Sequence, residues 1–226
     1  MNARMNAAMN AGMSASVPEL TMLVLAKEPV PGRAKTRLTP PYTPGQAARL
    51  AEAALTDTLR TVARLPVSRR VLALSGEPGP WLPEGFEVFP QCDGGLDVRI
   101  AHAFTLCQGP TLLVGMDTPQ LTARHLEPAL GGDWHGRAWM GMAEDGGFWV
   151  LGLPEPGRAP ELVPGVPMSS GVTGREQRRR LCRAGLRVGA LPVLRDMDTA
   201  RDADRIAEVA SGEFAAVHAT LRPVGA

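Results

Sequence analysis

The chain of 226 residues carries 24 Lys and Arg against 23 Asp and Glu, a formal net charge of +1. That balance supplies no global field to recruit nucleic acid or an acidic membrane, so any affinity for anions must be local. The length suits one substantial α/β domain, and three widely spaced cysteines, Cys92, Cys107 and Cys182, argue against a disulfide framework or a zinc site and fit a reducing cytoplasm.

Residues 1–18, MNARMNAAMNAGMSASVP, repeat Met, Ala and Asn, lack the apolar core of a signal peptide, and read as a disordered leader outside the fold. No apolar run approaches the roughly 20 residues of a membrane helix. Leu20 to Ala26 is apolar apart from Thr21, the pattern of a strand covered on both faces of a parallel sheet. A Gly/Pro-punctuated loop follows, and Thr43-Pro44 then offers an N-cap with proline at the first helical position. Ala48, Ala51, Leu55, Leu59 and Val62 continue at helical spacing. Arg70 to Ser75 and Phe86 to Phe89 read as strands, Leu96 to Cys107 as a helix, and Thr111 to Met116 as another buried strand. Thr122 caps a predicted helix through Leu130.

Ala138 to Ala143 and Phe148 to Leu153 are predicted strands joined by the turn Glu144-Asp145-Gly146-Gly147. A Pro/Gly-rich loop runs from Pro154 to Gly171, and Thr173-x-x-Glu176 reads as a capping box opening a helix that ends near Gly185. Leu186 to Leu191 is the last predicted strand and Thr199 to Ala210 the last full helix. Alternating strands and helices predict a single doubly wound, mostly parallel mixed sheet with helices on both faces, over residues 19–212. Residues 213–226 form a tail with a short helix and a frayed end at Pro223 to Ala226.

Ligands of open α/β sheets bind at the carboxyl ends of the strands, and three segments place polar groups there. The first is LVLAKEPVPGRAKTRL, from Leu23 to Leu38, with Lys27, Arg33, Lys35 and Arg37 around one loop. Gly32 lets the backbone approach a ligand, and the cations suit phosphate oxygens. No Walker A or Gly-x-Gly-x-x-Gly pattern is present. The second is Gly115-Met116-Asp117-Thr118-Pro119, where a carboxylate directly after a buried strand could hold Mg²⁺ or Mn²⁺ against nucleotide phosphates. The third is Asp196-Met197-Asp198-Thr199, whose carboxylates read equally well as further metal ligands and as N-caps. Asp145, Gly146 and Gly147, with Ser169 and Ser170, form candidate acceptor contacts, and Gln91 and Asp93 could reach a nucleobase or ribose.

In order along the chain, the blocks AKEPVPGRAKTRL, Gln91 through GGLDVR, VGMDTPQL, AEDGGFWVLGL and RDMDTARDA resemble a family of uncharacterised bacterial proteins in the glycosyltransferase-A, or nucleotide-diphospho-sugar transferase, superfamily. The chain is also similar to guanylyltransferases acting on phospholactate or phosphoenolpyruvate. The resemblance implies a metal-dependent transferase with a nucleotide or nucleotide-sugar donor and a small-molecule acceptor. Lys27, Arg33, Lys35 and Arg37 would hold the phosphates, Asp117, Asp198 and Asp196 the metal, and Gly147, Ser169 and Ser170 the acceptor. Lys35, Arg37 and Asp117 would carry the chemistry. Two segments depart from the commoner pattern: Pro167-Met168-Ser169-Ser170 replaces Pro-Trp-Ser-Thr, and Gly94-Gly95-Leu96-Asp97 replaces Gly-Asp-Leu-Gly. The expected reaction is glycosyl transfer, with nucleotidyl transfer as its close alternative and a silent nucleotide-binding protein as the rival of another class. Oligomeric state is left open.

Overall fold

A computed structural model describes residues 19–221, so the expected leader and frayed end lie outside the described residues. Seven strands form one sheet in the order β3-β2-β1-β4-β6-β5-β7, with β1 Thr21–Lys27, β2 Arg69–Ser75, β3 Glu87–Pro90, β4 Thr111–Gly115, β5 Arg137–Ala143, β6 Phe148–Leu153 and β7 Arg187–Leu194. β3, β2, β1 and β4 run parallel, as do β5 and β7. β6 is antiparallel to both its neighbours. The sheet is thus mixed and mostly parallel, as the alternation of elements predicts.

The continuous apolarity of β1 follows from two cores. Met22 and Val24 pack with Leu55, Leu59 and Val114 on one face, while Leu23 packs with Phe104, Leu113 and Leu151 on the other. Successive strand residues point to opposite faces, so a strand covered twice needs apolar side chains at every position. The first face carries α1 (Pro44–Ala63) and α3 (Ala123–Leu130), and the second carries α2 (Leu96–Thr105), α4 (Ala159–Leu162) and α5 (Thr173–Arg183). α1 starts with a full capping box: the Gln46 amide N–H donates to Thr43 Oγ1 at 3.2 Å, and the Thr43 N–H donates to Gln46 Oε1 at 2.8 Å.

α6 (Ala200–Ala207) and α7 (Glu213–Thr220) cover the outer side of α1, burying Leu50, Ala54, Ile206 and Phe214 in a third cluster. Asp57 on α1 accepts from the N–H groups of Glu213 and Phe214 at 2.9 and 2.8 Å, capping α7 from another helix. Among the described residues no helix is long and apolar enough to cross a membrane.

Two local expectations are corrected. The stretch from Pro154 to Gly171 is not all loop, because it contains a 3-10 turn at Pro156–Arg158 and the single-turn α4. Nor does Thr173 cap α5. Its hydroxyl donates to the Pro167 and Ser170 carbonyls at 2.6 and 2.9 Å, and Val172 takes the cap position without a side-chain bond. Glu176, the other half of the expected box, pairs instead with Arg179 and Arg175.

Candidate functional site

A cleft of about 430 Å³ opens at the carboxyl ends of β1 and β4. Its lining includes Lys27, Arg33, Lys35 and Arg37 from the loop after β1, and Asp117 from the segment after β4. Asp198 comes from the segment between β7 and α6, Gln91 from the end of β3, Arg99 from α2, and Ser169 from the loop before α5. Leu25, Leu96 and Met116 give it apolar patches. Five cations thus face two carboxylates across one opening, an excess that focuses potential for a polyanion.

Lys35 is the centre of this arrangement. Its Nζ lies 2.9 Å from Asp117 Oδ2 and 3.3 Å from Asp198 Oδ1, and its side chain is only 11% exposed. Burial alone would pull the ammonium pKa down, but Asp117 and then Asp198 more than offset it and hold Lys35 above its ordinary value. Arg37 reaches Asp198 Oδ2 at 3.3 Å from a side chain 71% exposed, a contact of small energetic weight. Lys27 and Arg33 have no acidic partner among the described residues.

Backbone strain marks the same place. Among the described residues only Lys35 (φ 50°) and Ser169 (φ 53°) are non-glycine residues in the left-handed region, and both line the cleft. Such conformations cost about 1–3 kcal/mol and persist where the surroundings over-determine them. The segment carrying Asp198 is pinned by a Met197 N–H bond to the Asp117 carbonyl at 2.9 Å and by a Gln120 Nε2 bond to the Arg195 carbonyl at 2.6 Å. Asp198 does not cap α6. Thr199 does, accepting from the Asp202 N–H at 3.3 Å while Asp202 Oδ2 accepts from the Thr199 N–H at 2.9 Å. Asp196 lies outside the cleft lining. Its burial, with the like charges of Asp117 and Asp145, pushes its carboxyl up to about 7.

Among the described residues, no three acidic, His or Cys side chains cluster as a self-sufficient metal site. Asp117 and Asp198 nevertheless converge on one positive centre, the Lys35 ammonium. Two carboxylates facing a cationic cleft fit Mg²⁺, which takes one or two carboxylates and completes its shell from substrate phosphates and water.

The remaining expected contacts separate. Gly32 is not in the cleft lining, and nothing would meet a Cβ there; its φ of 75° is what calls for glycine. Gln91 lines the cleft, but its side chain is already committed. Nε2 donates to the Ala26 and Ala73 carbonyls at 2.7 and 2.9 Å, and Oε1 accepts from Arg99 NH1 at 2.9 Å. Asp93 is exposed and outside the lining. Of the acceptor set only Ser169 reaches the cleft. Asp145 Oδ1 accepts from the Gly147 N–H at 2.8 Å, closing its own turn. A Cβ on Gly146 would lie 2.3 Å from the Gly171 carbonyl oxygen, so glycine there serves the close approach of two backbones. Ser170 Oγ accepts from the Val172 N–H at 3.2 Å. Arg99 received no role from the sequence, although it closes the GGLDVR block.

Residues 54–170, just over half of the chain, match the model of a family described as "Uncharacterized protein conserved in bacteria (DUF2064)". A provisionally named nucleotide-diphospho-sugar transferase from Desulfovibrio desulfuricans G20 is 26% identical over 80% of this chain and 83% of its own, with a TM-score of 0.71. A homologue of Mycobacterium tuberculosis Rv0371c, from Mycobacterium sp. strain JC1, is 20% identical over 88% of this chain and 96% of its own, TM-score 0.55. The CMP:2-keto-3-deoxy-manno-octonic acid synthetase solved with CTP is 11% identical over 83% of this chain and 96% of its own, TM-score 0.52. The last two share the fold. Comparison with curated proteins returned no match. The fold is that of the nucleotide-diphospho-sugar transferases, which classes the chain with the transferases. The chain belongs to the DUF2064 family.

Proposed function

We propose that this member of the family transfers a group from a nucleotide donor, foremost the sugar of a nucleotide sugar, to a small acceptor with the help of a divalent cation. The observation that carries this reading is the Lys35 ammonium held between Asp117 and Asp198 in a cleft where Lys27 and Arg33 have no acidic partner among the described residues. The likeness to the Desulfovibrio protein supports it. Asp117 and Asp198 would hold Mg²⁺ or Mn²⁺, which when bound neutralises charge on the diphosphate.

Each residue of the cleft then has a task. Lys27 and Arg33, without an acidic partner among the described residues, receive phosphate oxygens by charge-assisted hydrogen bonds. Lys35 is oriented by two carboxylates, so its charge is in place before the donor arrives and costs no reorganisation as negative charge develops. Arg37, mostly solvent-exposed, can leave Asp198 for the leaving group at small cost. Ser169, also in the lining, offers a hydroxyl to the acceptor.

One observation favours nucleotidyl transfer as a second reading. Five cations against two carboxylates are more than a diphosphate needs and suit a triphosphate. Incubation with Mg²⁺ and panels of nucleotide sugars, nucleoside triphosphates and acceptors decides between the two. Nucleoside diphosphate release with a glycosylated acceptor is the expected result. Pyrophosphate release with a phosphorylated acceptor selects the second reading, and thermal stabilisation by nucleotides without turnover would reduce the chain to a silent binder.

A further inference from the structure

The Arg99 guanidinium is a half-buried cation with no acidic partner among the described residues. Its one side-chain hydrogen bond runs from NH1 to Gln91 Oε1 at 2.9 Å, and its Nε is buried without a partner. Gln91 cannot follow a wandering arginine, because Nε2 is bonded to the carbonyls of Ala26 in β1 and Ala73 in β2. Two strands therefore fix Gln91, and Gln91 fixes one edge of the guanidinium fork. A half-buried, oriented guanidinium with a buried, unpartnered Nε is costly unless something anionic meets it.

Its position is also separate from the loop cations. Arg99 stands on α2, whose Ile100 and Phe104 pack in the core on one face of the sheet. The loop after β1 packs Ala34 into the core on the opposite face. The cleft joins the two across the end of β1. We infer that Arg99 is a second anion-binding point of the cleft, which receives a carboxylate or phosphate distinct from the phosphates held by Lys27, Arg33 and Lys35. The distinction between the two anions rests on the reading of the loop as the donor phosphate site. Guanidinium geometry suits both anions, because two parallel N–H groups match two oxygens.

Calorimetric titration of the full chain with inorganic pyrophosphate, then with orthophosphate on top of saturating pyrophosphate, tests it directly. The wild type binds both. Arg99→Gln loses orthophosphate affinity about ten-fold, the size of one charge-assisted contact, and keeps pyrophosphate affinity. Arg33→Gln does the reverse, and Arg99→Lys keeps part of the orthophosphate binding, which shows that the site survives the substitution. The inference is overturned if the wild type takes no orthophosphate once pyrophosphate is bound, or if Arg99→Gln leaves orthophosphate binding unchanged or weakens both anions alike. Failure of pyrophosphate to bind, with orthophosphate binding still dependent on Arg99, would sink the donor reading of the loop and leave this one standing. Replacing pyrophosphate by a saturating nucleoside triphosphate assigns the anion. If orthophosphate still binds, the anion belongs to the acceptor. If it is displaced and Arg99→Gln weakens the nucleotide about ten-fold, the anion belongs to the donor.

Discussion

The loop after β1 and the β5–β6 turn both carry polar residues at the same end of the sheet, and they spend them in opposite ways. In the turn, Asp145 bonds the Gly147 N–H and the Gly146 carbonyl accepts from the Gly174 N–H at 2.9 Å, and in the neighbouring segment before α5 Ser170 bonds the Val172 N–H. Asp145 and Ser170 are consumed in closing their own turns, and the Gly146 carbonyl in tying the two segments together. In the loop, Lys27 and Arg33 have no acidic side-chain partner among the described residues, and Lys35 is held by two carboxylates in a strained backbone. Spent groups build structure and unspent ones await a ligand.

That contrast can be broken by substitution. Asp117→Asn should have the largest effect, lowering kcat/KM on the donor by about 10²- to 10³-fold, the usual range for losing one preorganised charge-stabilising group. If donor and metal still bind as in the wild type, Asp117 belongs with the spent groups. Lys35→Met should cost about ten- to a hundred-fold in donor affinity, as expected for a hydrogen-bonded charge. It also leaves Asp117 and Asp198 facing each other without their cation, so Mn²⁺ measured without donor should bind the variant more tightly.

Gly146→Ala probes the other side of the comparison. A methyl 2.3 Å from the Gly171 carbonyl oxygen, at a φ of 91°, should destabilise the fold by about 1–3 kcal/mol in urea unfolding while donor affinity stays unchanged. A drop in donor affinity larger than the stability loss would make the turn a ligand wall after all. Asp97→Asn should have the smallest effect, about 1 kcal/mol. Asp97 Oδ2 accepts from the Gly165 N–H at 2.8 Å, and that bond holds its carboxyl below the usual range. A lowered folded-state pKa stabilises above the unfolded value and loses that contribution as pH falls through the folded one. Wild type and variant should therefore differ at neutral pH and converge as pH falls below the ordinary carboxylate range, as read by unfolding at both.

The legible parts of this protein share a cause. The strand-like runs, the Thr43 cap and the Thr122 cap were readable because each depends on neighbours a few residues away. The cationic loop and Asp117 were readable because carboxyl ends of buried strands are where such sheets place ligands. Thr173 misled for the opposite reason. Its spacing to Glu176 is that of a capping box, yet the preceding turn offers the Pro167 and Ser170 carbonyls, which take the hydroxyl first. Gln91 was visible as a polar residue at a strand end, but its bonds to carbonyls of β1 and β2 depend on strand pairing.

By itself the sequence determined a mostly parallel α/β sheet with a cation-rich loop and acidic segments at strand ends, because periodicity, caps and strand-end chemistry are local properties. Only the tertiary structure decided which polar groups are free. Asp198, readable equally as metal ligand and as helix cap, becomes a partner of Lys35 across 163 positions of chain, and Arg99 gains its fixed fork through Gln91 and two paired strands. Whether a side chain is spent or available depends on what the fold brings within about 3 Å of it, and that distance is set by packing between segments far apart in sequence.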